Sequence, residues 1–472
     1  METPNKQQQS KFSLWLRNSI TARMLIVGFL IIVLLIPLFF IQDLIRERSY
    51  LQHEVIDEIN QQWGNEVLLY GPILKVPYKT YSETLVTDEK TKRVYTETNE
   101  KINYAFFFPE ALNINSGINP EEKKRGIYTT AVYNSEIVLN GQFSRPNFKD
   151  IDLNDKDIIW DKAKLIIQSS NVKGVNQATL TLNQTEYELT ARYVSKNSYT
   201  QNAAAETAYD MSYSYNQQSL HTLETKSIKP EQVKFDIPLN FNIKFNIKGS
   251  KQIRFIPVGK ETQAQITSNW KTANFFGEFL PYNDNKITEN GFDAKWKILD
   301  INRPFSQEYF NQLPKLDDFA FGVNFMIPVN EYLKSERSSK YGFLVIALTF
   351  LIFFLLQTLS KIYIHPFQYL MIGLALTMFY TLLISITEHS TFLKAYLIAG
   401  SSVVILITLY SKTILKTFKF PIFIGLALTA LYTFIYVIIQ LESYALLTGS
   451  IGLFLILAIV MFVSRKIDWN NE

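Results

Sequence analysis

Six long apolar runs, one near the N-terminus and five crowded at the C-terminal end, constrain this chain more than any other feature. Roughly 20 apolar residues at ~1.5 Å rise per residue cross the ~30 Å hydrocarbon core of a bilayer. Because backbone polar groups find no water there, such runs are predicted to be helices, in preference to soluble core helices. The six runs are 24–41, 341–359, 369–386, 395–410, 420–439 and 444–463.

Basic residues flank these runs unequally and predict their orientation. Lys and Arg precede the first run and follow the second, fourth and sixth, whereas the short segments on the other side hold Glu388, His389, Lys394 and Glu442. Lys and Arg are enriched in cytoplasmic segments. We therefore expect both termini in the cytoplasm and residues 42–340 outside it. Residues 37–46 contain no small-x-small cleavage site, so a retained anchor is favoured over a cleaved signal peptide.

The long polar stretch between the first and second runs predicts β-structure. Its segments 127–143, 178–193 and 233–247 alternate between apolar and polar residues and are rich in Thr, Tyr, Val, Ile and Phe. We expect a membrane protein of α plus β class, in which a large, mainly antiparallel β domain follows the first helix. A sandwich and a curved sheet remain alternatives, as do one and two subdomains.

The sequence also predicts the domain boundaries. Residues 43–63 are expected to continue the first helix or to form an amphipathic stalk, residues 85–101 to form a charged hairpin or loop, and residues 195–218 to be a mobile insertion. The expected parts are an N-terminal tail (1–23), the first membrane helix (24–45), the periplasmic domain (46–340), a five-helix bundle (341–463) and a C-terminal tail (464–472).

Composition and motifs exclude several classes of protein. A net charge of +4 with no basic cluster interleaved with aromatics argues against nucleic-acid binding, and the absence of cysteine excludes disulfides and thiolate chemistry. The four histidines have no metal-ligand spacing, and no nucleophile elbow or phosphate-binding loop stands in a useful context. We therefore expect no enzyme, no catalytic residues, no metal and no cofactor.

A succession of short motifs carries a family resemblance. They include Gly71-Pro72-Ile73-Leu74, Arg125-Gly126, Phe276-Gly277-Glu278-Phe279, Asn302-Arg303-Pro304-Phe305, His365-Pro366-Phe367 and Glu388-His389. In the order of these motifs and in its predicted topology, this chain resembles the CreD family of bacterial inner-membrane proteins along nearly its whole length. The resemblance implies a role in cell envelope integrity, linked to two-component signalling and tolerance of envelope-directed agents. It supplies no molecular activity.

Seven residues are candidates for interaction, and each has a structural alternative. Trp270, Phe279 and Arg303 could bind a peptide or glycan by stacking and ion pairing, or could belong to the core. Glu388 and His389 could form a pH-sensitive or partner-contacting cluster, or an ordinary polar turn. His365, which precedes Pro366, is expected to cap a helix. The family that the chain resembles often has a carboxylate where this chain has Gln357, so a proton-carrying role there is in doubt.

Two main function classes follow. The first is a non-enzymatic envelope protein whose periplasmic β domain meets envelope proteins or membrane lipid. The second is an insertase or chaperone with the layout of the YidC proteins, which carry a basic residue in an intramembrane groove that this chain does not match. A small-molecule transporter is disfavoured because the helices contain almost no charged residues. The oligomeric state is left open.

Overall fold

The computed structural model describes residues 19–87, 94–148, 151, 153–192, 220–233, 238–325, 327, 331–360, 362–415, 418–441 and 444–465. The chain forms two compact units, Met1–Glu54 with Val329–Glu472, and Val55–Pro328. We call them the membrane unit and the β unit. The mobile insertion predicted at 195–218 lies outside the described residues.

Six described helices are long and apolar enough to cross a membrane, which confirms the predicted number and its one-plus-five distribution. The first helix continues far beyond its apolar run, as predicted for residues 43–63. The helices are α1 (Ile20–Trp63), the short α2 (Glu331–Lys340), α3 (Gly342–Ser360), α4 (Pro366–Thr387), α5 (Phe392–Leu415), α6 (Lys419–Gln440) and α7 (Ala445–Ser464).

Close packing in the membrane unit depends on small residues. Lipid tails are as apolar as leucine, so membrane helices associate through van der Waals fit and not through a hydrophobic driving force. A Cβ atom at Gly373 of α4 would overlap Leu34 of α1, and one at Gly342 would lie 2.7 Å from Leu38. These glycines let α1 approach α3 and α4. By contrast, Gly400 has ordinary contacts, with its nearest neighbour at 3.8 Å.

Helix α2 is polar, yet it belongs to the membrane unit. Ser335, Ser338 and Ser339 are fully buried, since their small side chains allow close packing. The Glu331 carboxylate at its start accepts a hydrogen bond from the backbone N–H of Phe392 at 2.9 Å, at the first residue of α5. Helix α2 thus lies in the second segment of the membrane unit, Val329–Glu472, and the predicted end of the β domain at residue 340 stays a prediction.

The β unit consists of strands with short helical turns. The strands are β1 (Val67–Thr87), β2 (Val94–Phe107), β3 (Ala111–Arg125), β4 (Tyr128–Phe143), β5 (Lys164–Ser169), β6 (Val175–Leu182), β7 (Thr185–Arg192), β8 (His221–Thr225), β9 (Leu239–Ser250), β10 (Gln252–Phe255), β11 (Glu261–Ser268), β12 (Ala273–Gly277), β13 (Ile287–Thr288), β14 (Gly291–Leu299), β15 (Glu308–Phe310) and β16 (Phe321–Phe325).

All described strands join one hydrogen-bonded sheet of 16 strands, within a single compact unit. Its main path runs β12-β16-β10-β1-β5-β8-β7-β6-β9-β4-β3-β11-β14-β13, while β2 pairs with β1 and β15. The pairs β1–β10 and β3–β11 are parallel and the others antiparallel, which confirms the mainly antiparallel prediction. Side chains alternate between core and solvent along strands such as β9, so one face covers the core.

Candidate functional site

The β1–β2 ribbon, defined as residues 78–87 of β1 and 94–103 of β2, has most of its described side chains exposed to solvent. Its strands pair without interruption from Tyr78–Asn103 to Thr87–Val94. At ~3.4 Å per residue the ribbon is roughly 30 Å long. Several apolar side chains along it face solvent, among them Tyr81 (54% exposed), Leu85 (73%) and Val94 (61%).

Both outer edges of the ribbon are open within the described part of the sheet. Strand β5 pairs with β1 only as far as Lys75, after which Tyr78 makes one bridge to Ile158. Strand β15 pairs with β2 only at residues 105–107. The N–H and C=O groups of an edge strand offer a template for a further strand. The ribbon can therefore bind an extended peptide by strand addition.

The base of the ribbon is held by side-chain contacts. The Tyr81 hydroxyl donates a hydrogen bond to Asp157 Oδ1 at 3.0 Å, and this carboxylate raises the Tyr81 pKa. Lys79 Nζ lies 2.8 Å from Glu100 Oε1 across the strands, which raises the Lys79 pKa. Both contacts lie toward the end of the ribbon nearest the core, while the apolar side chains of Leu85 and Val94 nearer the tip stay exposed.

Trp270 and Phe279 lie against the core of the β unit. Both side chains are partly buried on the main hydrophobic cluster. The Phe279 carbonyl accepts a hydrogen bond from Trp296 Nε1 at 3.0 Å, and Trp296 is 1% exposed. The exposed aromatic of this segment is its neighbour Tyr282. The structure thus gives Phe279 a structural contact and leaves a ligand-binding role for Trp270 and Phe279 a prediction.

Arg303 is enclosed by the protein. Its side chain is 0% exposed, and its Nη2 donates to Asp300 Oδ1 at 3.0 Å. The guanidinium carbon lies 4.5 Å from the centre of the Phe305 ring. Burial lowers the Arg303 pKa, and the nearby Asp300 carboxylate opposes this effect. Arg303 thus lies in the interior of the β unit, where its Nε is buried without a hydrogen-bond partner among the described residues, and a ligand-binding role for it stays a prediction.

Glu388 and His389 follow the last residue of α4, and they differ in environment. Glu388 is largely buried, and its Oε1 lies 3.5 Å from Nε of Arg48 on α1. His389 is exposed. The structure therefore brings Glu388 to a basic partner, Arg48, that sequence reasoning missed because the two residues are 340 positions apart.

Gln357 forms a polar contact inside the membrane unit. Its Oε1 accepts a hydrogen bond from the Tyr369 hydroxyl at 2.8 Å, and both residues are buried. A cavity of 20 Å³, about the size of one water molecule, is lined by Arg23, Gln357, Tyr363 and Tyr369 with four apolar residues. The structure places Gln357 in a helix-to-helix hydrogen bond, and any further role remains a prediction.

His365 is the N-cap of α4, as expected from the following proline. The ring Nδ1 of His365 accepts a hydrogen bond from the backbone N–H of Phe367 at 3.2 Å, and the backbone N–H of His365 donates to Gln368 Oε1 at 2.9 Å. Two orphan donors at the helix start are thereby satisfied. The ring is exposed. Among the described residues no group of three His, Asp or Glu side chains could hold a metal ion.

The comparisons with known proteins agree with one another. The family model described as Inner membrane protein CreD matches residues 19–470. The Inner membrane protein CreD of Escherichia coli strain K12 is 29% identical over 444 residues, which cover 93% of this chain and 91% of that protein. The similarity therefore includes both the membrane unit and the β unit.

Proposed function

This chain belongs to the CreD family of inner membrane proteins, and from that premise we propose that it supports cell envelope integrity and envelope stress tolerance without enzymatic chemistry. Its β unit would act by binding envelope proteins or lipid. The bias of Lys and Arg along the chain supports an orientation with both termini in the cytoplasm and the β unit in the periplasm. Six crossings are consistent with termini on the same side.

The open β1–β2 ribbon carries this proposal. Two strands alone are marginally stable in water, and a roughly 30 Å ribbon gains stability when another strand or surface covers it. Its exposed Leu85 and Val94 provide apolar contact area, and its free edges provide backbone hydrogen bonds. These features fit an extended segment of a periplasmic protein better than a small substrate, which would need a concave site.

The competing insertase function has less support. A groove of 420 Å³ between α5 and α6 is lined by Tyr396, Tyr432, Tyr436 and other uncharged residues. None of the residues lining it is Lys or Arg. An insertase mechanism that uses a basic residue in such a groove is therefore not the function we propose.

Site-specific photocrosslinking in living cells tests the proposal. A benzophenone side chain at Leu85 or Val94 should yield adducts with one or a few envelope proteins. The same group at Ile301, which is 90% exposed on the β unit but outside the ribbon, is the control. Equal adduct patterns at all three positions would count against the ribbon as the binding surface.

A matched pair of variants connects binding to function. Leu85→Asp places a charge on the ribbon, and Ile301→Asp places the same charge at an exposed apolar position elsewhere. In cells lacking the native copy, Leu85→Asp should restore tolerance of an envelope-directed agent several-fold less well than Ile301→Asp, at equal membrane levels. Full restoration by Leu85→Asp would refute the role of the ribbon.

A further inference from the structure

A large apolar cavity lies within the membrane unit, between α3, α6 and α7. It has a volume of 690 Å³, and its lining is apolar except for Thr448 near the start of α7. Helix α7 has no fully buried residue along its described length. It approaches α6 closely at Gly452, where a Cβ atom would overlap the Phe434 ring. The cavity separates α7 from α3.

The dimensions of the cavity restrict what can fill it. On α3 the lining extends from Leu348 to Leu359, which is ~17 Å at 1.5 Å per residue and close to one leaflet of a ~30 Å hydrocarbon core. That length suits the acyl chains of a lipid lying in one leaflet, and every residue of the lining except Thr448 is apolar.

Charge at one end of the cavity indicates the headgroup. Leu359, Phe423 and Val463 line that end. Lys419 precedes Phe423 by four residues and so lies on the same face of α6. Basic side chains at a membrane interface attract anionic lipids.

We propose that this cavity binds the acyl chains of an anionic phospholipid, whose phosphate is held by Lys419. The lipid fills the space between α3 and α7 and makes α7 part of the packed unit. This site belongs to the membrane unit and does not depend on the ribbon proposed above.

Native mass spectrometry of the full chain in mild detergent tests the proposal. Phosphatidylglycerol is the anionic probe, and phosphatidylethanolamine is the zwitterionic one. The wild type should retain phosphatidylglycerol at least tenfold better than phosphatidylethanolamine. Ala430→Trp, which places a large ring in the cavity, should abolish retention. Ala458→Trp makes the same change on α7 outside the lining and should retain the lipid. Lys419→Gln should bring the two lipids close to parity.

A second measurement serves if Ala430→Trp fails to fold. Because the chain has no cysteine, Ala430→Cys provides a single thiol in the cavity. Phosphatidylglycerol should slow its alkylation by an apolar maleimide several-fold, and phosphatidylethanolamine should not. Equal protection by both lipids would overturn the proposal. Unchanged lipid retention in Ala430→Trp would also overturn it. A third refuting result would be a wild-type dimer without bound lipid that becomes a monomer in Ala430→Trp and in no other variant.

Discussion

Replacing Asp300 by alanine should destabilise the β unit more than replacing Arg303 by methionine. The two residues form one ion pair at 3.0 Å, but their environments differ: the Arg303 side chain is 0% exposed and that of Asp300 is 55% exposed. Removing Asp300 leaves a buried guanidinium without its carboxylate. Removing Arg303 leaves a carboxylate that water can solvate, while methionine occupies much of the space of the arginine stem.

The magnitudes follow from this asymmetry. Leaving a buried charge without its partner costs ~3–5 kcal/mol, and the exposure of Asp300 reduces this to ~2–3 kcal/mol because solvent already screens the pair. Arg303→Met loses a charge-assisted hydrogen bond. It also removes the cost of burying the guanidinium, the same desolvation that lowers the Arg303 pKa. The net loss in the free energy of unfolding is therefore about 1 kcal/mol or less. Arg303→Ala also loses the packing of about three methylene groups, or ~2 kcal/mol more.

Urea unfolding of the full chain in detergent, followed by tryptophan fluorescence, measures these differences. Trp63, Trp160, Trp270 and Trp296 all lie in the β unit, so the signal reports mainly on that unit. With a slope of ~2–3 kcal/mol per M, the midpoint should fall by ~1 M for Asp300→Ala and by less than ~0.5 M for Arg303→Met. The double variant should resemble Arg303→Met alone, because the buried charge has gone. A larger loss in Arg303→Met than in Asp300→Ala would refute the reasoning.

Two predictions concern the membrane unit. Gly373→Val should lower the thermal midpoint of the detergent-solubilised chain, with a cost of ~1–3 kcal/mol, because its side chain would overlap Leu34. Gly28→Val should have little effect, because a Cβ atom there meets nothing within 4 Å. Equal falls in the thermal midpoint for the two variants would contradict the close contact between Gly373 and Leu34. Tyr369→Phe removes the hydrogen bond to Gln357 and should cost ~0.6 kcal/mol, the average for such bonds between membrane helices. A double-mutant cycle with Gln357→Leu should give a coupling of that size, and a coupling near zero would exclude the bond.

Hydropathy and alternation were enough to predict the fold class. The six spans and the β-rich segments each have a strong local signal, since lipid demands long apolar helices and a half-buried strand alternates with period two. The first helix extends to Trp63 because nothing in residues 43–63 breaks it. The parallel pairings β1–β10 and β3–β11 had no such signal, because they join segments that are more than 140 residues apart.

The candidate site was harder to predict because side-chain burial is a tertiary property. Arg303 and Phe279 stand in similar short motifs, and only the packed sheet shows that the first is enclosed with Asp300 while the second offers its carbonyl to Trp296. His365 was predictable because a cap is local and the next residue is proline. The charged segment 85–101 was expected to be a hairpin or loop. It contains no local signal for how far the ribbon extends beyond its neighbouring strands, β5 and β15.

The cavity beside α7 shows why the contacts of a membrane helix are harder to predict from sequence than those of a strand. A strand that covers a core must alternate, because water on its other face selects polar residues. Around α7 both lipid and protein are apolar, so no solvent selects a pattern, and residues 445–464 are almost uniformly hydrophobic. Shape distinguishes the faces at one point, where Gly452 permits a close approach to α6. A bound lipid would supply the dispersion contacts that the protein itself does not make there, so removing it should loosen α7 before any other helix.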